Sequence, residues 1–233
     1  MGESIFITAV DTEVGKTLSA CGIIEQLRGD NVDVGVYKPV LAGAELKDGA
    51  PYREDAVMLK NAAGTDDDLD LINPYYFSEP VTPAHAASME NISIDKKVIL
   101  DNYNTIKERH EFTVVEGAGG VLVPTTDDYL VVDMIKDMGT QAIVITDTAL
   151  GRINHTLMTL KVLGMYNIKV RGIIVNRYPA TPKERDVSLL KYLKKFSNVE
   201  IIGVVPEVMK GPEFYKNFIS SFQEACKGYL NGF

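Results

Sequence analysis

Short runs of apolar and β-branched residues recur along the chain and alternate with segments whose apolar residues repeat at helical spacing. The apolar runs predict strands at residues 5–10, 33–40, 112–116, 141–147, 170–176 and 200–206. The helical spacing predicts helices at residues 17–28, 54–62, 94–109, 129–138, 154–165, 183–195 and 213–230. Strands that are apolar throughout are typical of parallel sheets buried on both faces. We therefore expect an α/β fold: a single doubly wound parallel sheet of about six to seven strands with helices on both faces.

Residues 41–93 interrupt this alternation. Pro74, Pro80 and Pro83 disfavour regular helix or sheet interior there. The acidic run at residues 66–68 favours a solvated turn over a metal cluster. A long irregular segment in a compact domain is usually functional or disordered, and its apolar residues favour packing. Because no repeat or flexible linker is present, we expect residues 1–233 to form one domain with an irregular insertion at about 41–93.

The composition narrows the class of protein. The chain has 233 residues, 45% of them apolar, and a net charge of −8, which indicates a globular protein and argues against a nucleic-acid surface. Cys21 and Cys226 lie in helical patterns without ligand spacing and are expected to be buried or half-buried free thiols. No apolar run is long enough to span a membrane and no signal segment is evident, so we expect a cytoplasmic protein with no nucleic-acid or membrane partner.

Gly15, Lys16 and Thr17 stand between the first predicted strand and the first predicted helix. In the usual phosphate-loop pattern a leading glycine would stand at Val10, and Ala9 precedes it. A Gly-Lys-Thr sequence that follows a buried strand and opens a helix nevertheless predicts a phosphate-binding loop. Lys16 would reach the terminal phosphates of a nucleotide, and the Thr17 hydroxyl would bind Mg²⁺.

Further polar residues follow the predicted strands, and ligands of open α/β sheets bind outside the carboxyl ends of the strands. These strand ends carry residues 11–17, Lys38, Glu116, Gly117, Ala118, Gly119, Asp147, Asn176 and residues 206–207. Glu116 could hold Mg²⁺ or end its strand in solvent, and the glycines after it would let a phosphate approach. Lys38 could face an anion or reach solvent, and Asn176 could bind a base or form a turn. Together these residues predict a Mg²⁺-dependent ATPase or ATP-dependent transferase.

Seven motifs, in this order and spacing, resemble those of the dethiobiotin synthetase family across residues 4–225: TAVDTEVGKT, VYKPV, EDA, VVEGAGG, ALGRINHT, IIVNR and GVVPE. The resemblance implies that 7,8-diaminononanoate takes up CO₂ as a carbamate, which attacks the γ-phosphate of ATP. The second amine then closes the ring of dethiobiotin and releases phosphate. The cofactor implied is Mg²⁺, ATP is the co-substrate, and the active unit implied is a homodimer.

The resemblance also implies roles for individual residues. Lys16 and Lys38 would be catalytic, and Thr17, Asp55 and Glu116 would bind the metal. The implied phosphate contacts are Glu13, Val14, Gly15, Lys16, Thr17 and Leu18, and the implied adenine contacts are Asn176, Arg177, Val205, Pro206 and Glu207. The implied substrate contacts are Lys38, Ala42 and a turn donated by the second subunit, Gly151, Arg152, Ile153 and Asn154.

Two positions depart from the family pattern, and rival classes remain. Ala42 stands where the family has a hydroxyl residue near the diamine, and Ala9 stands where it has the leading loop glycine. One rival is a switch ATPase of the ParA/MinD class, whose signature lysine is replaced here by Asp11. The others are a non-catalytic nucleotide-binding relative and the ATP-binding half of a glutamine-dependent amidoligase.

Overall fold

A computed structural model describes residues 2–47 and 49–229. Its strands are β1 (Glu3–Ala9), β2 (Val34–Tyr37), β3 (Val40–Ala42), β4 (Glu45–Lys47), β5 (Ala50–Tyr52), β6 (Tyr75–Phe77), β7 (Phe112–Gly120), β8 (Pro124–Thr126), β9 (Tyr129–Leu130), β10 (Gln141–Thr146), β11 (Val170–Tyr178) and β12 (Ile201–Pro206). Its helices are α1 (Lys16–Gly29), α2 (Glu54–Ala63), α3 (Leu69–Ile72), α4 (Pro83–Met89), α5 (Lys96–Arg109), α6 (Val131–Asp137), α7 (Arg152–Met165), α8 (Glu184–Phe196) and α9 (Phe214–Ala225).

The central sheet has six strands in the order β12-β11-β10-β1-β7-β2, and every neighbouring pair is parallel. Adjacent residues of β1 face opposite cores, because side chains alternate along a strand. Ile7 packs in a core with residues of α1, α2 and α9, whereas Phe6 packs in one with residues of α5, α6 and α7. The predicted α/β fold with helices on both faces is confirmed. Within the described residues, no helix is long and apolar enough to cross a membrane.

The carboxyl end of β1 lies between those of β7 and β10. Ala9 pairs with Ile145 of β10 and with Gly120 of β7. Ala9 is therefore an ordinary strand residue, and its methyl group needs no left-handed backbone. Positive φ angles occur instead later in the loop, at Glu13 (56°) and Gly15 (94°). The missing leading glycine is thus compatible with the fold.

Residues 41–93 are more regular than the sequence predicts. They contain two pairs of short strands, parallel β3 with β6 and antiparallel β4 with β5, and the helices α2, α3 and α4. Three-residue strands are too short to show an alternating pattern, which is why the sequence predicts only the helix near 54–62. Pro83 occupies the first turn of α4, where a missing N–H is tolerated.

Asp67 is buried, so the expectation of a solvated turn at residues 66–68 is wrong for this residue. One carboxylate oxygen of Asp67 lies 2.9 Å from His110 Nε2, and the other accepts a hydrogen bond of 2.7 Å from Arg109. Nδ1 of His110 lies 3.0 Å from the Asp33 carboxylate. Because both ring nitrogens face carboxylates, the contact favours the doubly protonated, charged form of His110. The contact ties residue 67 of the insertion to the segments that precede β2 and β7.

The pH dependence of stability tests this contact. Burial opposes the charge of His110, but Asp67 and Asp33 hold its pKa above the ordinary value of 6.5. The stabilisation is complete below about pH 6.5 and is lost as the pH rises through the raised pKa. We expect His110→Gln to lower the free energy of unfolding in urea by about 1–2 kcal/mol at pH 6 and by much less at pH 9. The exposed His85→Gln is the control, and equal losses for His110→Gln at both pH values would contradict this assignment.

Candidate active site

The loop between β1 and α1 is closed by Gly15 and Asn176. Gly15 precedes the first residue of α1 and has a φ of 94°. The Asn176 side chain, at the carboxyl end of β11, donates a hydrogen bond of 2.9 Å to the Val14 carbonyl. A Cβ atom on Gly15 would lie 2.2 Å from Asn176 Nδ2. Glycine is therefore required at position 15 by the backbone conformation and by the close approach of the amide.

Lys16 lies in the first turn of α1 and is almost entirely buried. Its ammonium donates a hydrogen bond of 3.1 Å to the Asp11 carbonyl. Burial, reinforced by the positive charge of Lys38, lowers the pKa of Lys16 to about 8. A phosphate placed beside Lys16 would favour its charged form.

Lys38 follows β2 and is held between two carboxylates. Its Nζ atom lies 2.7 Å from Glu116 Oε1 and 2.9 Å from Asp55 Oδ2. The Lys38 side chain is only 3% exposed. Burial opposes its charge, but the carboxylates outweigh burial and raise the pKa of Lys38. Lys38 therefore stays an ammonium ion and does not reach solvent.

Thr17 completes what we call the Lys38 cluster: Lys16, Thr17, Lys38, Asp55 and Glu116. Thr17 Oγ1 lies 3.0 Å from Asp55 Oδ1 and 2.9 Å from Glu116 Oε1. Burial raises the pKa of Glu116. Burial also opposes ionisation of Asp55, but Lys38 outweighs it and keeps the pKa of Asp55 below its usual value.

The oxygen atoms of this cluster suit a hard cation. In the part of the chain that the structure describes, Oε2 of Glu116 is buried without a hydrogen-bond partner. One hydroxyl and two carboxylates are oxygen ligands of the kind that Mg²⁺ takes together with phosphate oxygens. Across residues 2–47 and 49–229, no group of three or more His, Cys, Asp and Glu side chains could hold a metal on its own.

The insertion supports Lys38 through both of its backbone polar groups, the N–H and the carbonyl. The Lys38 N–H donates a hydrogen bond of 2.8 Å to the Ile72 carbonyl. Asn73 Nδ2 donates one of 2.7 Å to the Lys38 carbonyl and one of 3.0 Å to the Tyr75 carbonyl. Sequence reasoning missed Asn73, because an Asn-Pro pair indicates only a turn.

The turn that begins α7 is bound to the phosphate loop of its own chain. Gly151 has a φ of 92° and precedes the helix. Arg152 donates hydrogen bonds of 2.7 Å to Asp147 and 2.8 Å to the Asp11 carboxylate. The sequence placed Asp11 and Asp147 at strand ends without a role, and the structure shows that both position Arg152.

The remaining predicted site residues lie at the carboxyl ends of β11 and β12, in the core and on β3. Arg177 and Pro206 lie at the carboxyl ends of β11 and β12, and the Glu207 N–H donates to the Tyr178 carbonyl at 2.9 Å. Val205 is buried in the core. Ala42 lies on β3 opposite Phe77. Among the described residues, no side-chain hydrogen bond or ion pair joins Ala42 or residues 205–207 to the Lys38 cluster.

These features define a phosphate-loop protein of the α/β class. The family model described as an AAA domain matches residues 3–210. The ATP-dependent dethiobiotin synthetase of Methanocaldococcus jannaschii is 41% identical over 212 residues, which cover 86% of this chain and 92% of that protein. The enzyme of the same name from Bacillus subtilis is 34% identical over 203 residues, with 87% of each chain covered. The chain belongs to the ATP-dependent dethiobiotin synthetase family, a family of ATP-using ligases.

Solved structures share the fold at low sequence identity. The septum site-determining protein MinD with Mg-ADP from Pyrococcus horikoshii has a TM-score of 0.55 and 15% identity, with 99% of this chain and 93% of that chain covered. A ParA family ATPase from Chlorobium tepidum has a TM-score of 0.55 and 14% identity, with 98% and 96% covered. These likenesses support the fold alone.

Substitution at Gly15 tests the geometry of the loop. Gly15→Ala forces a left-handed backbone on alanine and a clash with Asn176, and we expect it to lower the free energy of unfolding by about 2–4 kcal/mol. Gly29→Ala, at the other end of α1, is a matched control because a Cβ there meets no described atom within 4 Å. It should be neutral or stabilise by up to about 1 kcal/mol. Urea denaturation measures both, and equal effects would refute the assigned geometry.

Proposed function

We propose that this protein is an ATP-dependent dethiobiotin synthetase. It would carboxylate 7,8-diaminononanoate with CO₂ and close the ring to dethiobiotin, with conversion of ATP to ADP and phosphate. Family membership supports the reaction class. The observation that carries the proposal is the Lys38 cluster, in which two buried ammonium groups stand beside a phosphate loop.

The nucleotide would lie along the carboxyl edge of the sheet. Backbone N–H groups at the start of α1 and the Lys16 ammonium would hold its phosphates, as helix N-termini do in other phosphate loops. Asn176 supports an adenine site at the end of β11. Its Nδ2 is taken by Val14, and its Oδ1 is buried with no partner in the described residues, so an adenine amino group could donate to it. Residues 177 and 205–207 would line that site.

The charge of the Lys38 cluster supports a requirement for Mg²⁺. Lys16 and Lys38 balance Asp55 and Glu116, so the cluster has no excess positive charge to offset a bound triphosphate. Thr17, Asp55 and Glu116 would hold the ion, and Glu116 offers the unpartnered Oε2. When bound, Mg²⁺ would neutralise phosphate charge beside these two carboxylates.

The two lysines would reduce the repulsion between two anions, the carbamate and the triphosphate of ATP. A carbamate oxygen would form a bond to the γ-phosphorus while the bond to ADP breaks, and Lys16 and Lys38 would offset the charge on the reacting oxygens. The second amine would then attack the carbamoyl carbon. Phosphate would leave with the carbamate oxygen and accept the proton of that amine. Lys38, whose backbone is held by Ile72 and Asn73, would keep the carbamate oxygen in line with the bond between the γ-phosphorus and ADP.

The diamine would extend from Lys38 past Ala42 to a turn of a second subunit. The backbone amides of Gly151, Ile153 and Asn154 would hold its carboxylate, since the Arg152 side chain is already bound to two carboxylates. A groove of about 650 Å³ between α7 and α8 supports a homodimer. It is lined by apolar side chains that include Leu150, which is 90% exposed, and Phe196. The sedimentation mass of the protein tests this assembly.

The dependence of ADP release on the diamine tests the function. With ATP, Mg²⁺ and bicarbonate, we expect ADP only when 7,8-diaminononanoate is present, with one dethiobiotin per ADP by mass spectrometry. Hydrolysis at the same rate without the diamine would instead favour a switch ATPase.

Lys38 variants show whether the cluster performs this reaction. Lys38→Gln should reduce diamine-dependent ADP release by about 10²–10³-fold, because it removes a cation from the reacting oxygens. The matched control is Lys47→Gln on β4, where the lysine is exposed and stacks on Tyr52. Circular dichroism would verify that both variants are folded, and full turnover by folded Lys38→Gln would refute the role of Lys38.

A further inference from the structure

The Arg152 guanidinium connects two loops that follow neighbouring strands. It binds Asp11 after β1 at 2.8 Å and Asp147 after β10 at 2.7 Å. Asp11 and Arg152 are 141 residues apart in sequence. Arg152 is 13% exposed and Asp147 is 12% exposed, so this half of the contact is largely shielded from water.

The Asp147 side of this contact is firmly anchored. The Asp147 carboxylate also accepts a hydrogen bond of 3.0 Å from the Ala149 N–H, which fixes the turn before α7. The two strands that lead into these loops, β1 and β10, remain hydrogen-bonded to their ends, because the Val10 N–H donates to the Ile145 carbonyl at 3.1 Å. Arg152 therefore projects from a rigid support toward the phosphate loop.

The Asp11 side belongs to the exposed part of the loop. Residues 11–13 are exposed, and Glu13 has a φ of 56°, which is uncommon for a non-glycine residue. The Asp11 carboxylate accepts from Arg152 and from the Thr12 N–H, and the Asp11 carbonyl accepts from Lys16. The hydrogen bond from Arg152 holds the pKa of Asp11 below its usual value despite partial burial, so Asp11 stays ionised.

We infer that Arg152 is a positioning residue for the phosphate loop: by fixing the Asp11 carboxylate, it fixes the Asp11 carbonyl that sets where the Lys16 ammonium lies. This role rests on the proposed nucleotide binding and differs from the substrate contact that the family resemblance implies. The guanidinium acts inside its own subunit, where its charge is matched by two carboxylates.

Preorganisation of the loop is the physical consequence. Without Arg152, residues 11–13 would sample other conformations, and nucleotide binding would have to order them. We therefore expect Arg152→Gln to raise the Kd for ADP about tenfold. Asp11→Asn should raise it similarly, because a neutral amide binds the guanidinium more weakly than a carboxylate.

The direction in which Asp11→Asn changes the Kd for ADP distinguishes positioning of the loop from a purely electrostatic effect of the Asp11 charge. Near an anionic ligand, removal of the Asp11 negative charge alone would tighten ADP binding, whereas loss of the contact weakens it. The double variant sharpens the test. In the Arg152→Gln background, Asp11→Asn should change the Kd by less than about twofold, because the interaction is already absent.

Calorimetric titration of the 233-residue protein with ADP and MgCl₂ measures these constants, and urea denaturation is run in parallel. Arg109→Gln is the matched control, since Arg109 binds Asp67 at the same 2.7 Å near the opposite edge of the sheet. It should lower the free energy of unfolding slightly and leave the Kd for ADP unchanged. The inference is supported if Arg152→Gln and Asp11→Asn each weaken ADP binding and the double variant binds ADP about as weakly as either single variant.

Three results would overturn it: Asp11→Asn that binds ADP as tightly as wild type, additive effects in the double variant, or a loss of stability without a change in Kd. Because Asp11→Asn is a conservative change at a half-exposed side chain, it remains informative if Arg152→Gln fails to fold. Wild-type protein that binds no ADP would overturn the proposed function itself, and with it this role of Arg152.

Discussion

The buried ammonium of Lys38 between Asp55 and Glu116 is the contact on which the rest of the site depends. Each partner belongs to a different element: Lys38 follows β2, Asp55 lies in the first turn of α2, and Glu116 lies within β7. Charges removed from water in this way are stable only when they are paired, and loss of one partner from a buried pair typically costs about 3–5 kcal/mol. The same pairing that stabilises the three elements brings oxygen ligands and a cation to the phosphate loop.

The insertion is therefore part of the candidate active site. It supplies Asp55 from α2, and through Ile72 and Asn73 it holds the backbone of Lys38. At the opposite edge of the sheet, Asp67 of the same insertion binds His110. The insertion is thus attached at both the carboxyl and the amino ends of the strands, which keeps Lys38 and Asp55 beside Glu116.

Much of the fold was predictable because each element has its own local pattern. Each of the six strands of the sheet contains an apolar run, and the helices between them have apolar residues at helical spacing, so local pattern and final structure agree. The phosphate loop was predictable from Gly15, Lys16 and Thr17 because a strand and a helix flank them. The short strands of the insertion were not predictable, because three residues carry no period.

The contacts within the site were less accessible from sequence. The apolar strand before Lys38 left two orientations of its side chain open, and the packing of α2 and β7 beside it decides between them. The hydrogen bond from Asn73 and the bond between Arg152 and Asp11 join residues far apart in the chain. Such pairs depend on how the elements pack, which no local pattern encodes. Family resemblance brought forward Asp55, which residue reasoning alone would have assigned to helix-dipole stabilisation.

The fate of a labelled oxygen is the most direct measurement of carbamate attack on ATP at this site. The protein would be given ATP, Mg²⁺, 7,8-diaminononanoate and bicarbonate enriched in ¹⁸O, and the released phosphate would be analysed by mass spectrometry. Attack by a carbamate oxygen predicts phosphate that carries one oxygen from bicarbonate, formed only when the diamine is present. Phosphate that carries only oxygen from ATP and water would contradict it.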